Sequence, residues 1–301
     1  MGKLTIPQEE LMNSGHIGCL GCGGTLAMRY LLKALGKRTM ITIPACCIAI
    51  MSGIYPRNFL KVPLLDVAFE TTAASASGIR AALDAKGIKD VYVVGFGGDG
   101  GTADIGIQAL SGTAERGDNI IYVMYDNEAY MNTGIQRSGA TPFGAWTTTT
   151  PVGEGGDFKK RPKKNMVEIM VAHDIPYAAT ASVAYPEDFV KKVLKAKDMD
   201  GTKFFHVFSP CPTGWRYSPE MTIQIGVLAF QTTVFPMYEV VNGVYRVTKK
   251  PAKRKPVKDY LKLQGRFKHL DDETIKIIQK NVDRNWEMLL AKAEFTKKFA
   301  E

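Results

Sequence analysis

Residues 95–132 read GFGGDGGTADIGIQALSGTAERGDNIIYVMYDNEAYMN. The apolar run Val91–Val94 enters this stretch, a segment compatible with a helix follows, and a second apolar run, Ile120–Met124, ends at Asp126 and Asn127. This order predicts a strand, a glycine-rich loop, a helix and a second strand. Ligands of open α/β sheets bind beyond the carboxyl ends of the strands. We therefore expect the polar groups at the two strand ends to converge on one spot.

Two kinds of ligand fit such a loop. Three glycines match the dinucleotide fingerprint G-x-G-x-x-G, namely Gly95, Gly97 and Gly100. In that interpretation Asp126 would hold a ribose hydroxyl. Asp99 argues against it, because a bare carboxylate inside a phosphate loop repels a pyrophosphate. A divalent cation between the carboxylate and the pyrophosphate turns this repulsion into attraction, because each anion binds the cation.

The sequence offers oxygen ligands for such a cation. Mg²⁺ takes hard oxygen ligands and often bridges one or two protein groups to substrate phosphates. Asp99 has a carboxylate oxygen and Asn127 an amide oxygen, and a backbone carbonyl just after Asn127 could complete the set. We therefore predict a magnesium and diphosphate site.

At this point the sequence resembles a known pattern. Gly98-Asp99-Gly100 followed by Asn127 is similar to the magnesium and diphosphate motif of thiamine diphosphate enzymes. The run Asp126–Gly153 resembles the β subunits of pyruvate:ferredoxin oxidoreductases (pyruvate synthases), within the 2-oxoacid:ferredoxin oxidoreductase family. Similarity extends from GHIGCLGCG at 15–23 to KPVKDYLKLQGRFKHL at 255–270.

The resemblance implies a set of site residues. The implied cofactor-binding positions are Gly98, Asp99, Gly100, Thr102, Asn127, Ala129, Asn132 and Thr133. Asp99, Asn127 and the carbonyl of Ala129 match the magnesium ligands. No catalytic residue is assigned here, because the family's activating glutamate is expected on a partner α subunit. From finding one diphosphate half-site and no second half, we expect the chain alone to be inactive.

Cysteines form a second candidate site. The five are Cys19, Cys22, Cys46, Cys47 and Cys211. Cys19-x-x-Cys22 is flanked by glycines, and such a pair is half of many zinc or iron–sulfur sites. A thioredoxin-like role is disfavoured because no predicted strand precedes Cys19. Cys46, Cys47 and Cys211 follow predicted strands, so they should lie on the same edge as Asp99.

Thiolates alone do not distinguish zinc from an iron–sulfur cluster. The resemblance implies a [4Fe–4S] cluster held by Cys19, Cys22, Cys47 and Cys211. Cys46 occupies a position where the family pattern leads us to expect glycine, so the choice between Cys46 and Cys47 stays open at this stage.

The implied activity is the coenzyme A-dependent oxidative decarboxylation of a 2-oxoacid, most simply pyruvate, with single electrons passing through the cluster to ferredoxin. The implied cofactors are thiamine diphosphate, Mg²⁺ and the cluster. The implied partners are an α subunit, γ and δ subunits or their equivalents, and ferredoxin. Oxalate or branched-chain 2-oxoacids are alternative substrates. An NAD-binding dehydrogenase and a zinc-stabilised scaffold are more remote alternatives.

Alternating helix and strand signals predict an α/β fold with a doubly wound, mostly parallel sheet of the thiamine diphosphate-binding type. We assign residues 1–218 to this domain. Residues 219–301 are predicted to form a C-terminal extension, an arm that packs on the same domain or on partner subunits and ends in a helix over Asp272–Phe299. A loop over Thr141–Lys164, rich in Thr, Gly and Pro, is long enough to suggest a function.

Charge is concentrated near the C-terminus. The chain has 301 residues and a net charge of +9, and nine Lys or Arg against one Asp lie between Lys249 and Lys268. This block could be solvated, bind an acidic partner such as ferredoxin, or strap a neighbouring subunit. Aromatic residues are too few there for nucleic-acid stacking, so we predict no nucleic-acid partner. No signal peptide or apolar run of about 18 residues is evident, so we expect a cytoplasmic protein without a membrane span.

Overall fold

The computed structural model describes residues 4–53, 58–154 and 156–300. Its strands are β1 (Thr39–Pro44), β2 (Leu64–Val67), β3 (Tyr92–Gly98), β4 (Ile121–Asp126), β5 (Tyr177–Ser182), β6 (Lys203–Phe208), β7 (Met237–Val241) and β8 (Val244–Lys249). Its α-helices are α1 (Gly23–Leu35), α2 (Cys47–Ser52), α3 (Thr72–Ala85), α4 (Ile107–Glu115), α5 (Met166–Val171), α6 (Pro186–Ala196), α7 (Pro212–Trp215), α8 (Thr222–Gln231), α9 (Val257–Leu261) and α10 (Asp272–Thr296). A π-helical turn, Gly101–Ile105, precedes α4, and short 3₁₀ turns span Pro219–Met221, Gly265–Phe267 and Lys297–Phe299.

These strands form one sheet in the order β2-β1-β3-β4-β6-β5-β7-β8. Neighbours from β2 to β5 are parallel, and β7 and β8 add an antiparallel edge. The predicted fold class is therefore confirmed. The chain leaves β1 towards β2 but runs from β3 towards β4, so the strand order reverses between β1 and β3. A crevice opens beyond the carboxyl ends of strands at such a reversal.

Both faces of the sheet are covered by helices. Along β4, Ile121, Val123 and Tyr125 point into a core formed with α1 and α6. Tyr122 and Met124 point to the other face, into a core with α3, α4, α5 and α10. Because strand side chains alternate between faces, a strand covered on both sides is apolar throughout. This explains the continuous apolar run in the sequence.

The C-terminal segment is less separate than the sequence suggests. The sequence pattern of this segment is weak and did not predict β7 and β8, which extend the main sheet. The two strands are joined at Asn242-Gly243, where φ is positive at both residues, 47° and 79°. Asn-Gly is a strong hairpin signal because both central positions of such a turn need positive φ. The predicted terminal helix is confirmed as α10 and its 3₁₀ end. The boundary at residue 218 stays a prediction.

The first two glycines of the fingerprint lie inside a strand. The sequence predicted a glycine-rich turn from Gly95, but β3 continues to Gly98. A Cβ at Gly95 would lie 2.7 Å from Tyr122 Cδ2, and one at Gly97 would lie 2.7 Å from the Tyr122 hydroxyl. These glycines therefore make room for the buried Tyr122 ring of the neighbouring strand. They do not form a phosphate loop.

We expect Gly95→Ala to lower the free energy of unfolding by about 1–3 kcal/mol, because the added methyl overlaps a ring that is packed on all sides. Gly78→Ala is the matched control. Gly78 is exposed on α3 and a Cβ there meets no atom within 4 Å, so this change should stabilise the chain by about 0.5–1 kcal/mol. Thermal or urea unfolding of the two variants measures whether each change raises or lowers the free energy of unfolding. Equal effects would contradict the packing explanation.

The long loop predicted over Thr141–Lys164 has no long helix or strand among its described residues; Gly155 lies outside them. The Lys159 side chain connects different parts of this loop by hydrogen bonds. This buried lysine donates to the carbonyl oxygens of Gly139 and Pro162 at 3.2 Å, and also to that of Thr141. Burial lowers the pKa of Lys159 to about 8.

In the part of the chain that the structure describes, no helix combines the length and apolar character needed to cross a bilayer.

Candidate functional site

Two cavities adjoin at the carboxyl edge of the parallel strands. The first, the Asp99 cavity, has a volume of about 120 Å³ and is lined by residues that include Cys46, Gly98, Asp99, Gly100, Asn127, Ala129, Asn132 and Thr133. The second, the cysteine cavity, has a volume of about 240 Å³ and is lined by residues that include Cys19, Cys22, Cys47 and Cys211. Both are lined by Cys47, Ile50, Tyr125, Asn127, Met131 and Asn132. The two cavities therefore share a wall.

Asp99 is buried where β3 ends and the next helix begins. Its Oδ2 accepts a 2.5 Å hydrogen bond from the Ser138 hydroxyl. Burial, reinforced by the negative charge of Asp126, raises the pKa of Asp99 well above its usual range. A buried carboxylate near other acids is costly to ionise unless a cation compensates it. The environment of Asp99 therefore suits a metal ligand.

Two further oxygen-bearing groups lie beside Asp99, namely the Asn127 amide and the Ala129 carbonyl. One end of the Asn127 amide lies 3.0 Å from Asp99 Oδ1 and 3.0 Å from the carbonyl oxygen of Ala129. With its nitrogen turned towards them, this amide donates to both oxygens. With its oxygen turned inward, that oxygen lies 3.0 Å from each of the other two, and adjacent ligands of an octahedral ion with bonds of about 2.1 Å are also about 3.0 Å apart. The donor set and its spacing fit Mg²⁺.

The remaining predicted cofactor residues divide into two groups. Gly100 has no room for a side chain, since a Cβ would lie 2.4 Å from the Tyr130 ring. Asn132 and Thr133 are exposed and line the Asp99 cavity. Thr102 lies elsewhere: it is fully buried, and its hydroxyl is 3.2 Å from that of Tyr122 inside the core. Its predicted contact with a cofactor is therefore corrected to a packing contact.

The four predicted cluster cysteines come from distant parts of the chain. Cys19 is exposed, and the other three are half-buried. Cys22, Cys47 and Cys211 lie at the starts of α1, α2 and α7. The backbone N–H of Gly23 donates to the carbonyl of Pro210 at 3.0 Å, which holds the first cysteine pair against the loop of Cys211.

Cys46 and Cys47 differ in which of the two cavities they line. Cys47 lines both cavities and so reaches the other three cysteines, whereas Cys46 lines only the Asp99 cavity. Burial, with the nearby thiols of Cys46, Cys211, Cys22 and Cys19, raises the pKa of Cys47 above its usual range. Burial raises the pKa of Cys211 to about 11. Such thiols need a positive centre between them to ionise together.

These thiols surround a volume and do not meet at a point. Within the ranges that the structure describes, no group of three His, Cys, Asp or Glu side chains is placed to hold a single metal ion. A structural zinc site needs about four ligands within 2.3 Å of one ion. The four cysteines instead line one cavity of about 240 Å³, which has room for a group larger than a single ion.

A buried ionic network lies behind the Asp99 cavity. The Asp126 carboxylate at the end of β4 pairs with Lys163 and, at 2.5 Å, with His206 Nε2. Burial opposes ionisation of Asp126, but the charge of Lys163 and the hydrogen bond from His206 lower its pKa to about 2. Asp126 is therefore paired inside the protein and is not among the residues that line the Asp99 cavity, so the dinucleotide interpretation is not supported.

This chain is similar in sequence to several known proteins. Residues 47–207 match the model of the thiamine pyrophosphate enzyme C-terminal TPP-binding domain. Pyruvate synthase subunit PorB of Methanocaldococcus jannaschii is 54% identical over 293 residues, which cover 95% of this chain and 98% of that protein. Ketoisovalerate oxidoreductase subunit VorB of Pyrococcus abyssi is 53% identical over 299 residues, with 97% and 96% covered. This chain belongs to the 2-oxoacid:ferredoxin oxidoreductase family.

A solved structure of the family has the same fold. A 2-oxoglutarate:ferredoxin oxidoreductase from Magnetococcus marinus superposes with a TM-score of 0.58 at 24% identity, with 69% of each chain covered. The predicted family is confirmed, as is the presence of a thiamine pyrophosphate-binding domain. The matched residues 47–207 begin at Cys47 and include Asp99, Asn127 and Ala129.

Sequence reasoning missed several residues of this oxidoreductase site. Ser138, which bonds to Asp99, lies inside the run that carried the family resemblance, but a serine in a loop has no signal of its own. Trp215 donates from Nε1 to the carbonyl oxygen of Asn127 at 2.7 Å. Glu128 binds Arg266, 138 positions later, at 2.5 Å. Only the folded chain brings such distant partners together.

Proposed function

We propose that this chain is the thiamine diphosphate-binding β subunit of an enzyme that oxidatively decarboxylates pyruvate to acetyl-CoA and CO₂, reversibly, with ferredoxin as the electron acceptor. The observation that carries the proposal is the shared wall between the Asp99 cavity and the cysteine cavity. A decarboxylation that releases single electrons needs an electron acceptor beside the site of bond cleavage. Adjoining cavities meet that need within one subunit.

Asp99, Asn127 and the carbonyl of Ala129 would hold Mg²⁺, and the metal would bind the diphosphate. Gly98, Gly100, Asn132 and Thr133 would border the diphosphate. Bound thiamine diphosphate would supply the electron sink that allows a 2-oxoacid to lose CO₂. The protein's part is to fix the metal ligands and neutralise charge: Ser138 orients the Asp99 carboxylate, and Trp215 fixes the peptide after Asn127.

Cys19, Cys22, Cys47 and Cys211 would hold a [4Fe–4S] cluster, which would accept electrons one at a time. Support comes from the common cavity that these four cysteines line. The chain purified anaerobically by itself should be brown and contain about four iron atoms and four sulfides. A colourless protein that contains zinc would overturn this part of the proposal.

We propose that the enzyme is a complex with an α subunit that supplies the activating glutamate, and with further subunits that pass electrons to ferredoxin. Its relatives are named as subunits, which supports this view. We therefore expect the purified single chain to show less than about 1% of the pyruvate-dependent viologen reduction of the assembled complex, since loss of a general acid or base typically costs about 10²–10⁴-fold. Robust turnover by the chain alone would contradict this prediction.

The substrate has a second candidate. The relatives named for ketoisovalerate match almost as well as those named for pyruvate, at 53% and 54% identity. Anaerobic viologen reduction by the assembled complex, with coenzyme A and each oxoacid in turn, separates the two. We expect kcat/KM for pyruvate to exceed that for ketoisovalerate by about 10-fold or more, the size of discrimination that a few methyl groups allow. The opposite order would make the chain a branched-chain oxidoreductase subunit, and oxalate serves as a third test substrate.

A further inference from the structure

We propose that Arg266, in the basic C-terminal segment, is a positioning residue that holds the metal-binding turn 126–129 in its ligand-presenting shape. This inference rests on the proposed function, because that function makes Asn127 and Ala129 magnesium ligands. It gives part of the basic segment a role inside its own subunit, which charge alone does not indicate.

The turn has an unusual backbone at Glu128. This residue is buried and has a φ of +66°, a left-handed conformation that side chains other than glycine rarely adopt. Asn127 and Ala129 lie on either side of it, and the Asn127 amide meets the Ala129 carbonyl oxygen at 3.0 Å. The left-handed residue thus sets how the two ligand groups are brought together. A strained backbone persists only when its surroundings hold it in place.

Arg266 reaches Glu128 from the C-terminal part of the chain. Its Nη2 lies 2.5 Å from Glu128 Oε2, and each side chain is only 3% exposed. Lys163 pairs with the other carboxylate oxygen at 2.7 Å. The backbone of Glu128 is also held, since its carbonyl oxygen accepts a 2.6 Å hydrogen bond from the Thr141 hydroxyl.

Arg266 reaches the turn by a second route. Its guanidinium carbon lies 3.8 Å from the centre of the Trp215 ring, a stacking distance. The same tryptophan donates from Nε1 to the carbonyl oxygen of Asn127 at 2.7 Å. Arg266 therefore supports the turn in two ways. It binds the Glu128 side chain directly, and it stacks on the tryptophan that holds the Asn127 carbonyl.

Arg266 is itself oriented in advance. Its Nε donates to Gln264 Oε1 at 3.0 Å, and Gln264 is fully buried. The backbone carbonyl oxygen of Arg266 accepts a hydrogen bond from the backbone N–H of Trp146 at 3.0 Å. Arg254, in the same segment, differs in each respect: it pairs with Asp283 of α10, and its side chain is 32% exposed. Arg254 thus provides a matched control for loss of one positive charge.

The test measures metal binding by the assembled complex after its own cofactors have been removed. Mg²⁺ is titrated calorimetrically at a fixed, saturating concentration of thiamine diphosphate, with wild type, Arg266→Gln, Arg266→Lys and Arg254→Gln. Partners that orient metal ligands typically change metal affinity by about 10–100-fold when they are removed. We expect Arg266→Gln to raise the Kd for Mg²⁺ by about 10-fold or more, Arg266→Lys to recover part of the loss, and Arg254→Gln to stay within about twofold of wild type.

The outcomes separate this inference from the proposed function. If wild type binds Mg²⁺ and Arg266→Gln binds it equally well, the positioning role is wrong and the proposed function is unaffected. If wild type itself does not bind Mg²⁺ with thiamine diphosphate, the proposed function fails first. Should Arg266→Gln not fold, the paired variant Glu128→Gln with Arg266→Met leaves neither charge unpaired. Weakened Mg²⁺ binding in that variant supports the inference, and unchanged binding overturns it.

Discussion

Replacing Asp99 with Asn is expected to abolish turnover of the assembled enzyme and at the same time to stabilise the metal-free chain. Asn keeps the shape of the side chain but removes the negative charge that would bind Mg²⁺. The loss of pyruvate-dependent activity should reach about 100-fold or more, above the effect of removing groups that only orient a ligand. Mg²⁺ titrations should show a parallel loss of affinity.

The stability gain follows from burial. Asp99 is 1% exposed, and the acids Asp126 and Glu128 lie near it. Removing a buried charge that lacks its cation should raise the free energy of unfolding of the metal-free chain by about 1–3 kcal/mol. Asp90→Asn is the control: Asp90 pairs with Arg38 on the surface, with side chains 70% and 60% exposed, so both activity and stability should barely change. If Asp99→Asn retained Mg²⁺ affinity and turnover, the metal site would be wrong.

The second large effect should distinguish two adjacent cysteines. We expect Cys47→Ser to lose the iron, the sulfide and the visible absorbance of the cluster, and to lose ferredoxin and viologen reduction by about 100-fold or more. Cys46→Ser should keep the cluster, because Cys46 lines the Asp99 cavity and is not among the residues that line the cysteine cavity. Serine is nearly the same size as cysteine, so neither change should unfold the chain. Iron and sulfide analysis, with the visible spectrum, measures the difference.

Matching variants at Cys19, Cys22 and Cys211 should behave like Cys47→Ser. Melting temperatures of all five variants control for misfolding. If Cys46→Ser loses the cluster and Cys47→Ser keeps it, the assignment of the third ligand must be reversed. If no single variant loses iron, the cysteine cavity holds no cluster and electrons must leave the Asp99 cavity by another route.

The elements nearest the site were predictable because their patterns are local. Apolar runs covered by helices on both faces mark the central strands, and the polar residues that end them, Asp99 and Asn127, mark the edge at which a ligand binds. The edge hairpin at Asn242-Gly243 was missed although its turn has a strong local signal, because its strands follow a segment without a clear period. Gly95 and Gly97 led to a wrong prediction, a glycine-rich turn where β3 continues. A glycine required by the Tyr122 ring looks the same in sequence as one required by a phosphate.

By itself, the sequence determined the family, the mostly parallel sheet, and the residue types that could hold a metal and a cluster, since periodicity and short motifs act over a few neighbouring positions. Only the tertiary structure decided that Cys47 lines one cavity with Cys19, Cys22 and Cys211, that Thr102 lies in the core, and that Arg266 reaches the turn at Glu128. These outcomes depend on which side of a strand or helix a single side chain points to, and on contacts between residues as many as 138 positions apart. Packing of the whole chain sets both.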